Sequence, residues 1–184
     1  MTKKKKKSLK ARRRRRARKA FFISLFVLAL AAAAVRFIVF VPVYMPTDAM
    51  QPTYRKGDLV YADKLEMWKN YRVNRGDMVY ARFKANDGSY IRRVEGMPGD
   101  LIDVRDDGKY LVVRENGLPI SETALGDAPA LVYGEIPSGA YLLLADDLSV
   151  TAADGRTLGL TYETEIIASP GAVLWPLSRA FRGN

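Results

Sequence analysis

The chain has 184 residues, 48% of them hydrophobic, enough for one domain with a real core plus one appended segment and too little for two full domains. It contains no Cys and no His, which excludes disulfides, thiol chemistry, thiolate or imidazole metal sites and Ser-His or Cys-His catalysis; a hydrolytic reaction would need a Lys, a carboxylate or a terminal amine as base. The formal net charge is +10, but residues 1–19 hold 13 of the 30 Lys and Arg and no acid, leaving 17 basic against 20 acidic residues and a net charge of −3 for the remainder.

The opening "MTKKKKKSLKARRRRRARK" is a like-charge block that repels itself. By itself it reads as a solvated tail or, more sharply, as a nucleic-acid-binding tail. The adjoining segment decides against both: "AFFISLFVLALAAAAV", residues 20–35, carries no charge and abuts the basic block. That is the orientation signal of a membrane helix with its basic side in the cytoplasm, so no nucleic-acid partner is expected. The run is short against the roughly 20 residues of a full span, which starts the helix near Arg18 and leaves Arg36 to snorkel to the far interface. A cleavable signal peptide is the competing account, because "ALAAAA" offers the small residues such cleavage needs. The predicted organisation is a basic cytoplasmic tail over 1–19, a single-pass signal anchor over 20–36 and an extracytoplasmic domain over 37–184.

Beyond residue 36 the signals are short strands separated by turns. "FIVFVPVYM", "GDLVYADKL", "GDMVYARFK", "SYIRRVEGM", "DLIDVRDD", "KYLVVREN", "AYLLLADD" and "TEIIASPGAVLWPL" are rich in β-branched and aromatic residues, with Gly, Pro, Asn and Asp between them. "YADKLEMWKNY" alone is ambiguous between a helical period and a strand end followed by a turn. The fold class is mostly β, an antiparallel sheet domain on one N-terminal helix.

Three blocks carry chemistry: "PTDAMQPT" with the adjoining "GDLVYADKL", then "RRVEGMPGD" at 92–100, then "ADDLSVTAADGRTLG" at 145–159, with "WPLSR" at 175–179. In this order they resemble the bacterial type I signal peptidases, membrane-bound serine proteases with a Ser-Lys dyad. The resemblance implies the signal-peptidase-type β domain, an exported preprotein as partner, membrane lipid around the anchor, and neither metal nor cofactor. It also places the nucleophile at Ala49 and the general base at Arg92.

Neither residue can serve. Alanine has no oxygen with which to attack, and an arginine, with a pKa above about 12, does not release its proton. By the same resemblance, Ala152 stands where the family has the serine that orients its lysine, Gly155 where it has a second serine, and Leu148 where it has an arginine. Thr47 keeps a hydroxyl at the oxyanion-stabilising position, and Met50, Pro52 and Thr53 keep the loop. Gly96, Pro98, Gly99 and Asp100 keep the second turn, and Asp154, Arg156 and Gly159 part of the third block. The plain alternative is that Gly and Pro shape turns while Asp154 and Arg156 form a structural ion pair.

Arg92 is expected either to meet a carboxylate, Asp48 or Asp154 or one on a partner, or to point to solvent from a strand. Thr47, Thr53 and Ser89 are the other hydroxyls near the site, and Asp48 and Lys84 the possible bases. The residues around "FIVFVPVYMP" and "GSYIRRVEG" would line a peptide groove.

The functional expectation is a catalytically inactive signal-peptidase-like membrane protein. It would bind an exported preprotein or pilin-like peptide, or a membrane protein partner, and resembles the dyad-less chaperones of pilus assembly. The alternative is an active signal peptidase with Ala49 at an engineered or atypical nucleophile position. A third reading is a membrane scaffold with no groove.

Overall fold

The structure, a computed structural model, describes residues 3–65, 72–105, 110–124, 134–150 and 152–180, with residues 3–14, 17, 35–38 and 110 described in backbone only. The chain falls into two compact units, residues 1–39 and 40–184.

The first unit is helix α1 (Lys3–Val39). Its Phe21, Phe22, Phe26 and Leu28 side chains are 60–66% exposed within the chain. Residues 20–34 make about 22 Å of helix against a hydrocarbon core of about 30 Å. Among the described residues no helix is long and apolar enough to cross a membrane; the predicted span over 20–36 runs on into side chains outside them. The helix continues through Phe37–Val39, three residues into the segment expected as strand, because extending a formed helix adds one hydrogen bond per residue fixed.

The second unit is built of antiparallel sheets. Its strands are β1 (Phe40–Tyr44), β2 (Leu59–Asp63), β3 (Met78–Phe83), β4 (Gly88–Gly96), β5 (Leu101–Arg105), β6 (Tyr110–Glu115), β7 (Leu118–Ala124), β8 (Gly134–Glu135), β9 (Ala140–Leu144), β10 (Thr161–Tyr162) and β11 (Ile166–Trp175), with a one-turn helix α2 (Gly155–Leu158) after β9. One sheet has the order β1-β2-β11-β3-β4-β9-β10 and the other β7-β6-β5-β8. Every predicted strand segment contains a strand; β7, β8, β10 and α2 were not foreseen. Part of the ambiguous "YADKLEMWKNY" is the end of β2, and residues 66–71 lie outside the described ones.

Alternation does most of this. Val60 and Ala62 of β2 and Val79, Ala81 and Phe83 of β3 are buried at every second position, as a half-buried strand requires. β9, "AYLLL", is buried along its whole length and reads as a continuous apolar run. Strand β11 joins the parts: Ile166 and Ala168 pair with β3, and Ser169 to Trp175 pair with β2. The register shift at Pro170 is where proline, lacking an N–H, interrupts a ladder.

Two features position the site. Strand β1 is an edge strand that pairs with β2, and β9 pairs with β4 only at Arg93, Val94 and Gly96. Residues 88–92 of β4 therefore have no strand partner on that side among the described residues. Val43, Met45, Met50, Tyr54, Val60 and Ile91 share one core cluster, so the sheet curls until β1 and β4, with three strands between them in order, contribute to one core.

Candidate functional site

The loop from Met45 to Asp58 is closed by its own hydrogen bonds. Met45 N–H donates to the Asp58 carbonyl and Gly57 N–H to the Met45 carbonyl, both at 2.9 Å, while Tyr54 N–H donates to Met50 O at 2.8 Å. Asp48 Oδ1 accepts from Lys56 N at 2.9 Å; this bond, with a smaller contribution from the Gln51 side chain, holds the Asp48 carboxyl below the usual range. Asp58, 1% exposed, accepts from Arg55 N at 2.8 Å and from Arg179 Nη1 at 2.7 and 2.9 Å. Arg179 also reaches the Thr53 carbonyl at 3.2 Å. The "WPLSR" tail is thus bolted to the loop through a tie between Asp58 and Arg179 that was not expected from the sequence. Opposite charges 121 residues apart leave no local signal.

At the centre of the loop lies Ala49, 0% exposed. It packs with Ala145 and Ala152, and its carbonyl accepts from Asp147 N at 2.9 Å. The position matched to the nucleophile and the one matched to the lysine-orienting serine therefore come together, and both present a methyl group.

Arg92 is 4% exposed. Its Nε donates to the Ala153 carbonyl at 2.9 Å and its Nη1 to the Ile91 carbonyl at 2.6 Å, and the guanidinium lies 5.1 Å from the centre of the Tyr90 ring. It neither points to solvent nor forms an ion pair with Asp48 or Asp154. Asp48 is held by Lys56. Asp154, 0% exposed, is taken by Arg156, whose Nη2 lies 3.0 Å from Oδ2. Asp146 is gripped by Arg93, Nε to Oδ1 and Nη2 to Oδ2, each at 2.7 Å. Burial pushes the Arg92 guanidinium below its ordinary range, against the favourable field of Asp154, yet arginine remains the cation here.

A groove of ≈ 170 Å³ opens beside it, lined by Val43–Thr47 at and beyond the end of β1, Ser89–Arg92 of β4, and Ala152 and Ala153. Thr47 and Ser89 bring hydroxyls to this lining. Among the described residues neither has a base beside it: Asp48 and Lys84 are not in the lining, and Lys84 is 2.9 Å from Glu165. Met50 sits in the core cluster at 0% exposure, Pro52 is exposed with a cis Gln51–Pro52 bond, and Thr53 borders a separate cavity with Arg93.

The remaining framework residues hold turns. Asp154 caps α2 through Arg156 N at 3.0 Å and accepts from Ala145 N at 3.1 Å, joining the end of β9 to α2. Gly99, at φ +90°, makes the turn between β4 and β5 in a conformation open to glycine, and its N–H donates to Ile136 O at 2.9 Å. Asp100 accepts from Met97 N at 2.6 Å and pairs with Arg75 at 2.9 Å. Among the described residues no group of carboxylates is placed to hold a metal ion.

A family profile described as "Signal peptidase, peptidase S26" matches residues 18–175. The chain is 25% identical over 162 residues to signal peptidase I U of Bacillus subtilis (strain 168), covering 84% of this chain and 86% of that one. It is 28% identical over 159 residues to signal peptidase IB of Staphylococcus aureus (strain COL), covering 78% and 81%. Among solved structures it is similar to a signal peptidase I from Enterococcus faecalis V583, with 20% identity, a TM-score of 0.41, and coverage of 53% of this chain and 96% of that one.

Proposed function

From the premise that the chain belongs to the peptidase S26 signal peptidase family, we propose that it is a non-catalytic member which binds exported peptides in the groove beside Arg92. One observation carries this. The positions matched to nucleophile, base and base-orienting serine converge as Ala49, Arg92 and Ala152, and among the described residues no other hydroxyl in the lining has a base beside it. Hydrolysis by a dyad needs a neutral amine to take the hydroxyl proton; here the hydroxyl is absent and the cation permanent.

Binding needs neither group. The end of β1 and residues 89–92 of β4 border the groove, and an extended peptide adds to free strand edges through main-chain hydrogen bonds, with its alternate side chains read by pockets. The apolar lining from Val43, Met45, Ile91 and Ala152 suits small apolar side chains. Residues 20–36 act as the membrane anchor, with the basic tail cytoplasmic and the β domain extracytoplasmic. Protease added to intact cells would then digest the domain; digestion only after lysis reverses the orientation.

The relatives' own names favour a second reading, an active signal peptidase. A cleavage assay with a preprotein and the detergent-solubilised full chain separates the two. No cleavage is expected from the native chain, and cleavage at the signal site overturns the non-catalytic reading. The triple variant Ala49→Ser, Arg92→Lys, Ala152→Ser is expected to gain cleavage above background, since frame and groove are already in place.

A further inference from the structure

Arg92 is a buried cation whose neighbouring carboxylates are committed elsewhere. Among the described residues its Nη2 has no hydrogen-bond partner, whereas Nε and Nη1 are spent on the Ala153 and Ile91 carbonyls. The two carboxylates whose fields reach it, Asp154 and Asp146, are held by Arg156 and Arg93 in bonds of 2.7–3.2 Å. Carbonyl dipoles and the Tyr90 face offset part of the desolvation, but a buried charge is stabilised chiefly by an opposite charge. Arg92 lines the groove, and among the described residues the lining contains no acid.

We propose that Arg92 is the anchor for the free C-terminal carboxylate of a peptide lying in this groove. The inference rests on the peptide-binding reading above and names its ligand class: a peptide with a free α-carboxylate, such as a cleaved product, rather than an uncut chain. A guanidinium matches a carboxylate in geometry as well as charge. The groove's ≈ 170 Å³ is below the roughly 300–1,000 Å³ of pockets that enclose whole small ligands, so it fits the end of a chain. Ala152 belongs both to the lining and to the packed alanine cluster with Ala49 and Ala145, so methyl groups back the lining there, and a chain that ends at Arg92 needs no room beyond it. An extended strand presents only amides along its length; its main chain offers a carboxylate at its C-terminus alone.

The test uses the native full chain in detergent and three fluorescein-labelled peptides of one apolar sequence ending Ala-Ser-Ala, a small-residue pattern of signal cleavage sites. The first is a free acid, the second a C-terminal amide, and the third an amide with Glu in place of the last Ala. By anisotropy the acid is expected to bind about tenfold tighter than the plain amide, the scale of a charge-assisted bond. Arg92→Met is expected to remove that difference and Arg92→Lys to retain part of it, with circular dichroism melting curves confirming that both variants fold. Acid and amide binding equally to the native chain overturns the carboxylate anchor while leaving the peptide groove standing. The Glu amide matching the acid overturns the chain-end assignment. Failure of all three to bind overturns the peptide-binding reading, and this inference with it.

Discussion

Tyr54 ties protonation to the shape of the loop that carries Ala49. Its ring is buried in the core cluster, and its hydroxyl donates to the Gly171 carbonyl at 2.7 Å. Burial, aided by Asp146 and Asp58 and opposed by Arg93, pushes the phenol up to about 12. The protonated form is thus the one the folded state favours. Its stabilisation is complete below the unfolded pKa of about 10 and is lost as pH rises from about 10 to 12, a drop of about 2 kcal/mol. Urea unfolding across that range is expected to show the drop, and Tyr54→Phe to flatten it while losing about 1 kcal/mol at neutral pH with the hydrogen bond. Ala49 makes a second case. Ala49→Ser alone places a hydroxyl in a site of packed methyls and is expected to cost about 1–2 kcal/mol in thermal unfolding, unless Arg92→Lys and Ala152→Ser supply partners.

The elements show which local patterns speak for themselves. The alternating burial of β2 and β3 and the apolar run of β9 are legible because strand period and burial coincide. Strand β7 is not apolar, and its burial reaches only Thr123. The available clue was Asn116–Gly117, with φ of +50° and +81°, a turn pair that closes hairpins. Helix α2, at four residues, is too short for any helical period. It depends on Asp154, which caps it, binds Ala145 N and neutralises buried Arg156. Asp154→Ala leaves that arginine without a counter-charge and is expected to cost about 3–5 kcal/mol in denaturant unfolding. At Gly155 an added Cβ would lie 2.6 Å from Leu142 Cδ1 and 2.9 Å from the Leu143 carbonyl. Gly155→Ala is therefore expected to cost about 1–3 kcal/mol by overpacking.

Across the whole β domain, a tie between distant parts of the chain holds the loop of the site in place. Arg179 and Asp58 lie 121 positions apart, and the Asp58 side chain is 2% exposed against 21% for Arg179. Arg179→Ala is expected to destabilise the domain by about 2 kcal/mol, less than a fully buried pair because one partner still meets water. Hydrogen exchange should show faster opening of residues 45–58, while an unchanged loop would mean that its internal bonds suffice. Residue identity by itself determined that no amount of folding gives Ala49 an oxygen or makes Arg92 a base, and the basic block before an apolar run was likewise plain from composition. The tertiary structure alone decided where Arg92 ended up. Solvent, Asp48 and Asp154 were all open to it in sequence, because a charge on a chain carries no record of which opposite charge will reach it. Folding brought Arg156 to Asp154 and Arg93 to Asp146, and each carboxylate so engaged left Arg92 buried beside the groove with carbonyl oxygens for company.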